Sequence, residues 1–119
     1  GKNGLKRSYV WGYGNMYPVA KIENASYAEV AAILGNNIAD IANASVLNNM
    51  HVALLDSLRQ SLPDAMITVY IYKPLVGITS IIDPSGRVST YEYDEHGRLK
   101  QVKDDKGNPL NEYEYHFRE

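Results

Sequence analysis

Cysteine is absent from all 119 residues. This excludes disulfides, thiol nucleophiles and cysteine-ligated metals, while leaving the compartment open. Nor does any apolar run approach the roughly 20 residues that cross a bilayer as a helix, and no secretory signal peptide is visible. A surplus of charge of one sign is missing too. The formal net charge is −2 and the pI about 5.9, with basic residues interleaved among acids, so neither nucleic acid nor an anionic membrane is an expected partner. The signatures GxSxG, HExxH and the glycine-rich phosphate loop do not occur, so no enzyme activity and no cofactor are expected. His51, His96 and His116 have no metal-ligand spacing. The acidic pairs Asp94-Glu95 and Asp104-Asp105 lack the dense oxygen spacing of a calcium loop. No metal site is expected.

Hydrophobic residues make up 45% of the chain, enough for a modest core, and the length suits one domain over residues 1–119. Gly1 reads as a residue left by expression, so the chain is expected to be a piece of a longer one. Three zones follow one another. Residues 7–23 read as an N-terminal hairpin around a turn near Gly12–Asn15. Residues 26–62 switch to helical period. Ser26 and Glu29 form a capping box and Gly35 a C-cap; Leu47, Met50, Leu54, Leu58 and Leu62 then recur at helical spacing before Pro63. "NNIADIAN" between them reads as a short helix or a linker. Residues 66–117 return to period two, beginning with "AMITVYIYK", which suits a strand buried on both faces. The expected fold is α+β: an antiparallel β-meander with a two- to three-helix block packed on one face.

The third zone is punctuated by a repeated formula. Asp83-Pro84-Ser85-Gly86, Asp94-Glu95-His96-Gly97 and Asp104-Asp105-Lys106-Gly107 each place an Asp three residues before a Gly. Such an Asp can accept a hydrogen bond from the backbone two residues on, and Gly can take the left-handed conformation that closes a three-residue hairpin loop. Three copies predict a four-stranded meander. Pairing Asp94 with Arg98 and Asp104 with Asn108 sets a register: Glu92, Lys100 and Glu112 form a charged ladder on one face, and Tyr93, Leu99 and Tyr113 form a row on the other.

"GRVSTYEYDEHGRLKQVKDDKGN" resembles the YD repeat, the tyrosine–aspartate repeat of Rhs-type bacterial proteins. The matching residues are Gly86-Arg87, Tyr93-Asp94, Gly97-Arg98-Leu99, Asp104 and Gly107-Asn108. With its flanks the likeness spans roughly residues 78–117. It implies β-hairpin strips that coil into a shell in long relatives, an extracellular or cell-surface location, and an association with carbohydrate binding or toxin encapsulation. One or two repeats enclose nothing, since repeat units bury their faces against neighbours. The chain is therefore expected to be a C-terminal fragment and a terminal cap, its partners being upstream repeats of the same polypeptide.

Ligand-binding candidates are Trp11, Tyr13 and Tyr17, aromatic rings near a turn that could stack on a sugar or contact another protein. They define the alternative of a carbohydrate- or protein-binding module. Tyr91, Tyr93, Tyr113 and Tyr115 alternate as strand-core residues do. Asp83, Gly86, Asp94, Gly97, Asp104 and Gly107 are expected to be structural turn residues. Asn24-Ala25-Ser26 and Asn43-Ala44-Ser45 match the N-glycosylation pattern, but read as two helix starts with Ser26 and Ser45 as N-caps. A cap is expected to expose an unpaired strand edge near residues 7–23, and self-pairing through that edge would make the chain dimerise. Gly97→Ala is expected to cost about 1 kcal/mol or more, because a Cβ disfavours positive φ; an unchanged melting temperature would refute the left-handed assignment.

Overall fold

A computed structural model describes residues 6–112. Ten elements follow in the order β1 (Arg7–Gly12), β2 (Tyr17–Glu23), α1 (Tyr27–Leu34), α2 (Asn37–Asn43), α3 (Asn49–Ser61), β3 (Met66–Lys73), β4 (Gly77–Ile82), β5 (Val88–Tyr93), β6 (Leu99–Lys103) and β7 (Pro109–Leu110). The strands form a seven-stranded sheet in sequence order. The architecture is α+β with a β-meander, as the switch in period predicts. Two compact units divide within β3, between Val69 and Tyr70.

In the first unit, antiparallel pairing sets Val10 opposite Ala20 and Ile22 opposite Ile67, with Ala20 also opposite Val69. Opposed residues share a face, so Val10, Ala20, Ile22, Ile67 and Val69 make one apolar surface, and all are buried. α1 and α2 lie against it, α2 more extensively on β1 than α1, and α3 packs on α1. They contribute Val30, Leu34, Ile41, Leu55 and Leu58 to the core. α1 starts as the capping box predicts: the Ser26 hydroxyl accepts from the Glu29 amide at 3.2 Å, and Glu29 accepts from the Ser26 amide at 3.1 Å. "NNIADIAN" is α2, a helix of two turns.

Two helical expectations need correction. Ser45 caps nothing. α3 starts at Asn49 with Asn48 as N-cap, which accepts from the His51 amide at 2.8 Å, while His51 Nδ1 accepts from the Asn48 amide at 3.2 Å. An imidazole thus fills the place of the Glu or Gln of the usual reciprocal cap. The buried face of α3 is also rotated from the expected one. Leu55 and Leu58 are fully buried, whereas Met50 is 71% exposed and Leu54 only half-buried. Met50 lies in the first turn of α3.

In the second unit, Ile81, Tyr91 and Val102 form a small buried cluster, with Tyr70, Ile78, Tyr93 and Leu110 packed around it. The register departs from the simple alternation. Tyr93 does face Leu99, but a bulge between Glu92 and Tyr93 sets Glu92 opposite Gln101 rather than Lys100. Among the described residues the β6–β7 register ends at Leu110. Glu92 accordingly receives Gln101 Nε2 at 2.7 Å and Lys103 Nζ at 3.0 Å, so the Glu92–Lys100 step of the expected ladder is not formed. The β6–β7 register, Val102 opposite Leu110 and Lys103 opposite Pro109, is by contrast the one that pairing Asp104 with Asn108 sets. Lys100 is the residue the bulge accommodates. Tyr113, Tyr115 and His116 lie outside the described residues. Leu55→Ala is expected to cost about 2–5 kcal/mol, and Met50→Ala to stay within about 0.5 kcal/mol. Denaturant unfolding of the two variants separates the observed helix face from the one that spacing alone suggests.

Candidate functional site

The three Asp–Gly units close in the same way. The amide of Asp83 donates to the Arg87 carbonyl at 2.9 Å, Asp94 to Arg98 at 2.8 Å and Asp104 to Asn108 at 2.8 Å. The glycine amides donate back to the aspartate carbonyls at 2.8, 3.0 and 3.0 Å. Gly86, Gly97 and Gly107 have φ of 88°, 77° and 81°, the left-handed region where a Cβ is disfavoured. Each aspartate then holds its loop by the side chain. Asp83 Oδ1 accepts the amides of Ser85 and Arg87, both at 2.9 Å. Asp94 Oδ1 accepts those of His96 and Arg98, also at 2.9 Å. Asp104 Oδ1 accepts those of Lys106 and Asn108 at 2.9 and 2.8 Å. The bond two residues on was legible in the sequence; the second, four residues on, was not.

These bonds set the electrostatics. The Arg98 amide does most to hold Asp94 below the usual carboxylate range, with the His96 amide and the Arg98 guanidinium reinforcing it. Burial would raise Asp83, but the Ser85 hydroxyl and the Arg87 and Ser85 amides outweigh it, so Asp83 is also lowered. Lys103, followed by Gln101, lowers Glu92. All three carboxylates favour the charged form, the opposite of a general acid. Among the described residues no group of three or more His, Asp or Glu side chains could hold a metal ion.

A side-chain bond also braces the β4–β5 hairpin. The Tyr93 hydroxyl donates to the Ile78 carbonyl at 2.6 Å. It passes so close over Gly77 that a Cβ there would lie 2.7 Å from the phenolic oxygen. The tyrosine of the Tyr-Asp pair thus locks the preceding hairpin, and its aspartate closes the following loop. Beside them a shallow groove of about 410 Å³ is lined by Lys73, Thr79, Tyr91, Glu92 and Tyr93, among others.

The aromatic candidates separate. Tyr13 is 6% exposed and Tyr17 half-buried, with ring centroids 5.7 Å apart in an edge-to-face contact. Tyr13, Gly14 and Asn15 form a left-handed turn with φ of 55°, 67° and 64°, pinned by the Asn15 amide donating to the Ala42 carbonyl of α2 at 3.0 Å. Tyr13 offers little surface to a ligand. Trp11 is 45% exposed and belongs elsewhere, on the outer face of β1 with Arg7 and Tyr9. No motif marks Tyr9 and Arg7; the alternation along "RSYVWG" is the signal that places them with Trp11. Lys6 accepts from the Asn24 amide at 2.8 Å, so Lys6–Asn24 is a hydrogen-bonded pair. Ser8–Ile22 and Val10–Ala20 are then pairs of the same kind. The backbone groups of Arg7, Tyr9 and Trp11 consequently point away from β2, along the edge of the sheet.

Chained hairpins, each closed by its own aspartate and one of them braced by a tyrosine, define a β-repeat module. Residues 77–109 match the RHS Repeat family model, so this segment, less than a third of the chain, is a YD/Rhs-type repeat. No curated protein and no solved structure matches the chain.

A pH dependence follows from the lowered carboxylates. Asp83 and Asp94 contribute stability that is fully present above their ordinary values, near 3.8, and is lost as pH falls through the lowered folded-state values. Asp94→Asn keeps an oxygen acceptor but cannot titrate. Its urea midpoint is expected to fall less steeply below about pH 4 than that of the parent chain. Equal slopes would contradict the assignment.

Proposed function

We propose that the chain is a non-enzymatic structural module, the terminal cap of a longer Rhs-like repeat polypeptide that is exported or displayed at the cell surface. The open edge of β1 carries this reading. Arg7, Tyr9 and Trp11 present backbone donors and acceptors that β2 does not use, on a strand of six residues without proline. Such an edge is a template for a further strand. The repeat at 77–109 supports the same reading, because repeats of this kind stack against neighbours in larger chains. The carboxylates that would draw attention as ligands are engaged by their own loops. In the parent polypeptide a strand of a neighbouring repeat adds to β1 and continues the sheet.

The second reading, a module that binds a glycan or another protein, has one observation in its favour: Tyr9 and Trp11 are 37% and 45% exposed on one face of one strand. Amide hydrogen exchange at low micromolar concentration tests the cap reading. Ser8 and Val10 are expected to exchange slowly and Arg7, Tyr9 and Trp11 fast in the isolated chain, all becoming slow in a longer polypeptide that includes the adjoining repeats. Slow exchange at Tyr9 and Trp11 in the dilute isolated chain would mean the edge is already covered, and would overturn the proposal.

A further inference from the structure

The outer edge of β1 is complementary to itself. Arg7, Tyr9 and Trp11 share one face and direct their backbone groups to one side. The bulge at this end of the β1–β2 pair comes between Val10 and Trp11, where the register passes from Val10–Ala20 to Trp11–Pro18. The extra residue, Val19, is therefore on β2, and β1 itself stays regular. No bulge, proline or inward-pointing charge blunts this edge, the devices by which sheets usually resist pairing. An antiparallel partner centred on Tyr9 would set Tyr9 opposite Tyr9 and Arg7 opposite Trp11, with Ser8 opposite Val10 between them. The residues with outward backbone groups would then meet as hydrogen-bonded pairs. In the same register the side chains match. An arginine, 57% exposed and held to Glu23 only at 3.4 Å, comes opposite an indole at each end, an arrangement suited to a cation–π contact. Two tyrosine rings meet in the middle.

We infer that in the isolated chain, where no neighbouring repeat covers β1, the partner this edge takes is a second copy of the same chain, paired antiparallel through β1 about Tyr9, with Arg7 of each copy against Trp11 of the other. The inference rests on the open edge, the premise of the proposed function, but adds an occupant and a register. One paired strand buries less than a standard protein interface, so the dimer is weak and forms in the upper micromolar range. Charge at position 11 tests the register. Trp11→Glu replaces the cation–π contact by an ion pair with Arg7 of the second copy, whereas Trp11→Lys opposes two cations.

Sedimentation velocity across a concentration series reads the assembly. Trp11, the sole tryptophan, reports the interface directly through its emission in the parent chain. The expected result is a monomer–dimer equilibrium in which Trp11 emission shifts to shorter wavelength on concentration. Trp11→Glu retains the dimer and Trp11→Lys weakens it at least tenfold, both with unchanged far-ultraviolet dichroism. Tyr9→Pro removes an outward amide without touching the β1–β2 ladder, and is expected to abolish the dimer while the monomer stays folded. A chain that remains monomeric near millimolar concentration overturns the inference, as do equal dimerisation constants for the Lys and Glu variants. So does a monomer whose Trp11 emission responds instead to added oligosaccharide. A monomer with fast amide exchange at Tyr9 refutes self-pairing alone; slow exchange in the dilute monomer refutes the open edge, and both readings with it.

Discussion

One carboxylate oxygen bound to two backbone amides is the contact on which the second unit depends. In each loop the Asp side chain satisfies the amides two and four residues ahead, while the main chain closes the ends of the loop and glycine turns it through positive φ. A loop fixed in this way sets the register of the strand residues next to it, which after the second loop reaches Tyr93 opposite Leu99, before the bulge shifts it. Three such loops determine β4 to β7 with little help from a large core. The cluster of Ile81, Tyr91 and Val102 is small, and local side-chain-to-backbone bonds supply the specificity that apolar burial does not.

The same contact redirects the search for function. Carboxylates drawn below their usual range by backbone donors are poor proton donors, and these have committed an oxygen to their own loops. The Tyr93 hydroxyl is likewise engaged, by the Ile78 carbonyl. In the first unit β1 presents Tyr9 and Trp11 on the face away from the helices, with their backbone groups along the sheet edge. A structural role in continuing a sheet follows from that arrangement more readily than recognition by the loop acids.

The sequence made some of this legible and hid the rest for identifiable reasons. Asp–Gly spacing declared the loops because both residues act locally, within four positions of each other. Ser26 and Glu29 declared a helix start on the same ground. Ser45 misled because the pattern at 43–45 copies that at 24–26, while Asn48 with His51 forms the actual cap. The Glu92–Lys100 pairing misled because a bulge inserts one residue into a strand and moves partners past it; no local signal marks it in "RLKQVK". Trp11, Tyr13 and Tyr17 look alike in the sequence but are separated by a left-handed turn that buries Tyr13 and leaves Trp11 on the opposite side of the strand from the core. The contact from Asn15 to Ala42 pins that turn, and such a long-range partner is not marked in the sequence.

Amide protons bound to a carboxylate report its titration through their chemical shifts, and this makes the aspartate contact directly measurable. In a proton–nitrogen spectrum followed from neutral pH to about pH 2, the amides of Ser85, Arg87, His96, Arg98, Lys106 and Asn108 should move in pairs. Each pair should follow one aspartate, with midpoints for the Asp83 and Asp94 pairs below the ordinary value for the residue. If these amides stay flat, or shift independently within a loop, the carboxylates do not hold the turns, and the interpretation of the repeat as self-contained sheet chemistry is wrong.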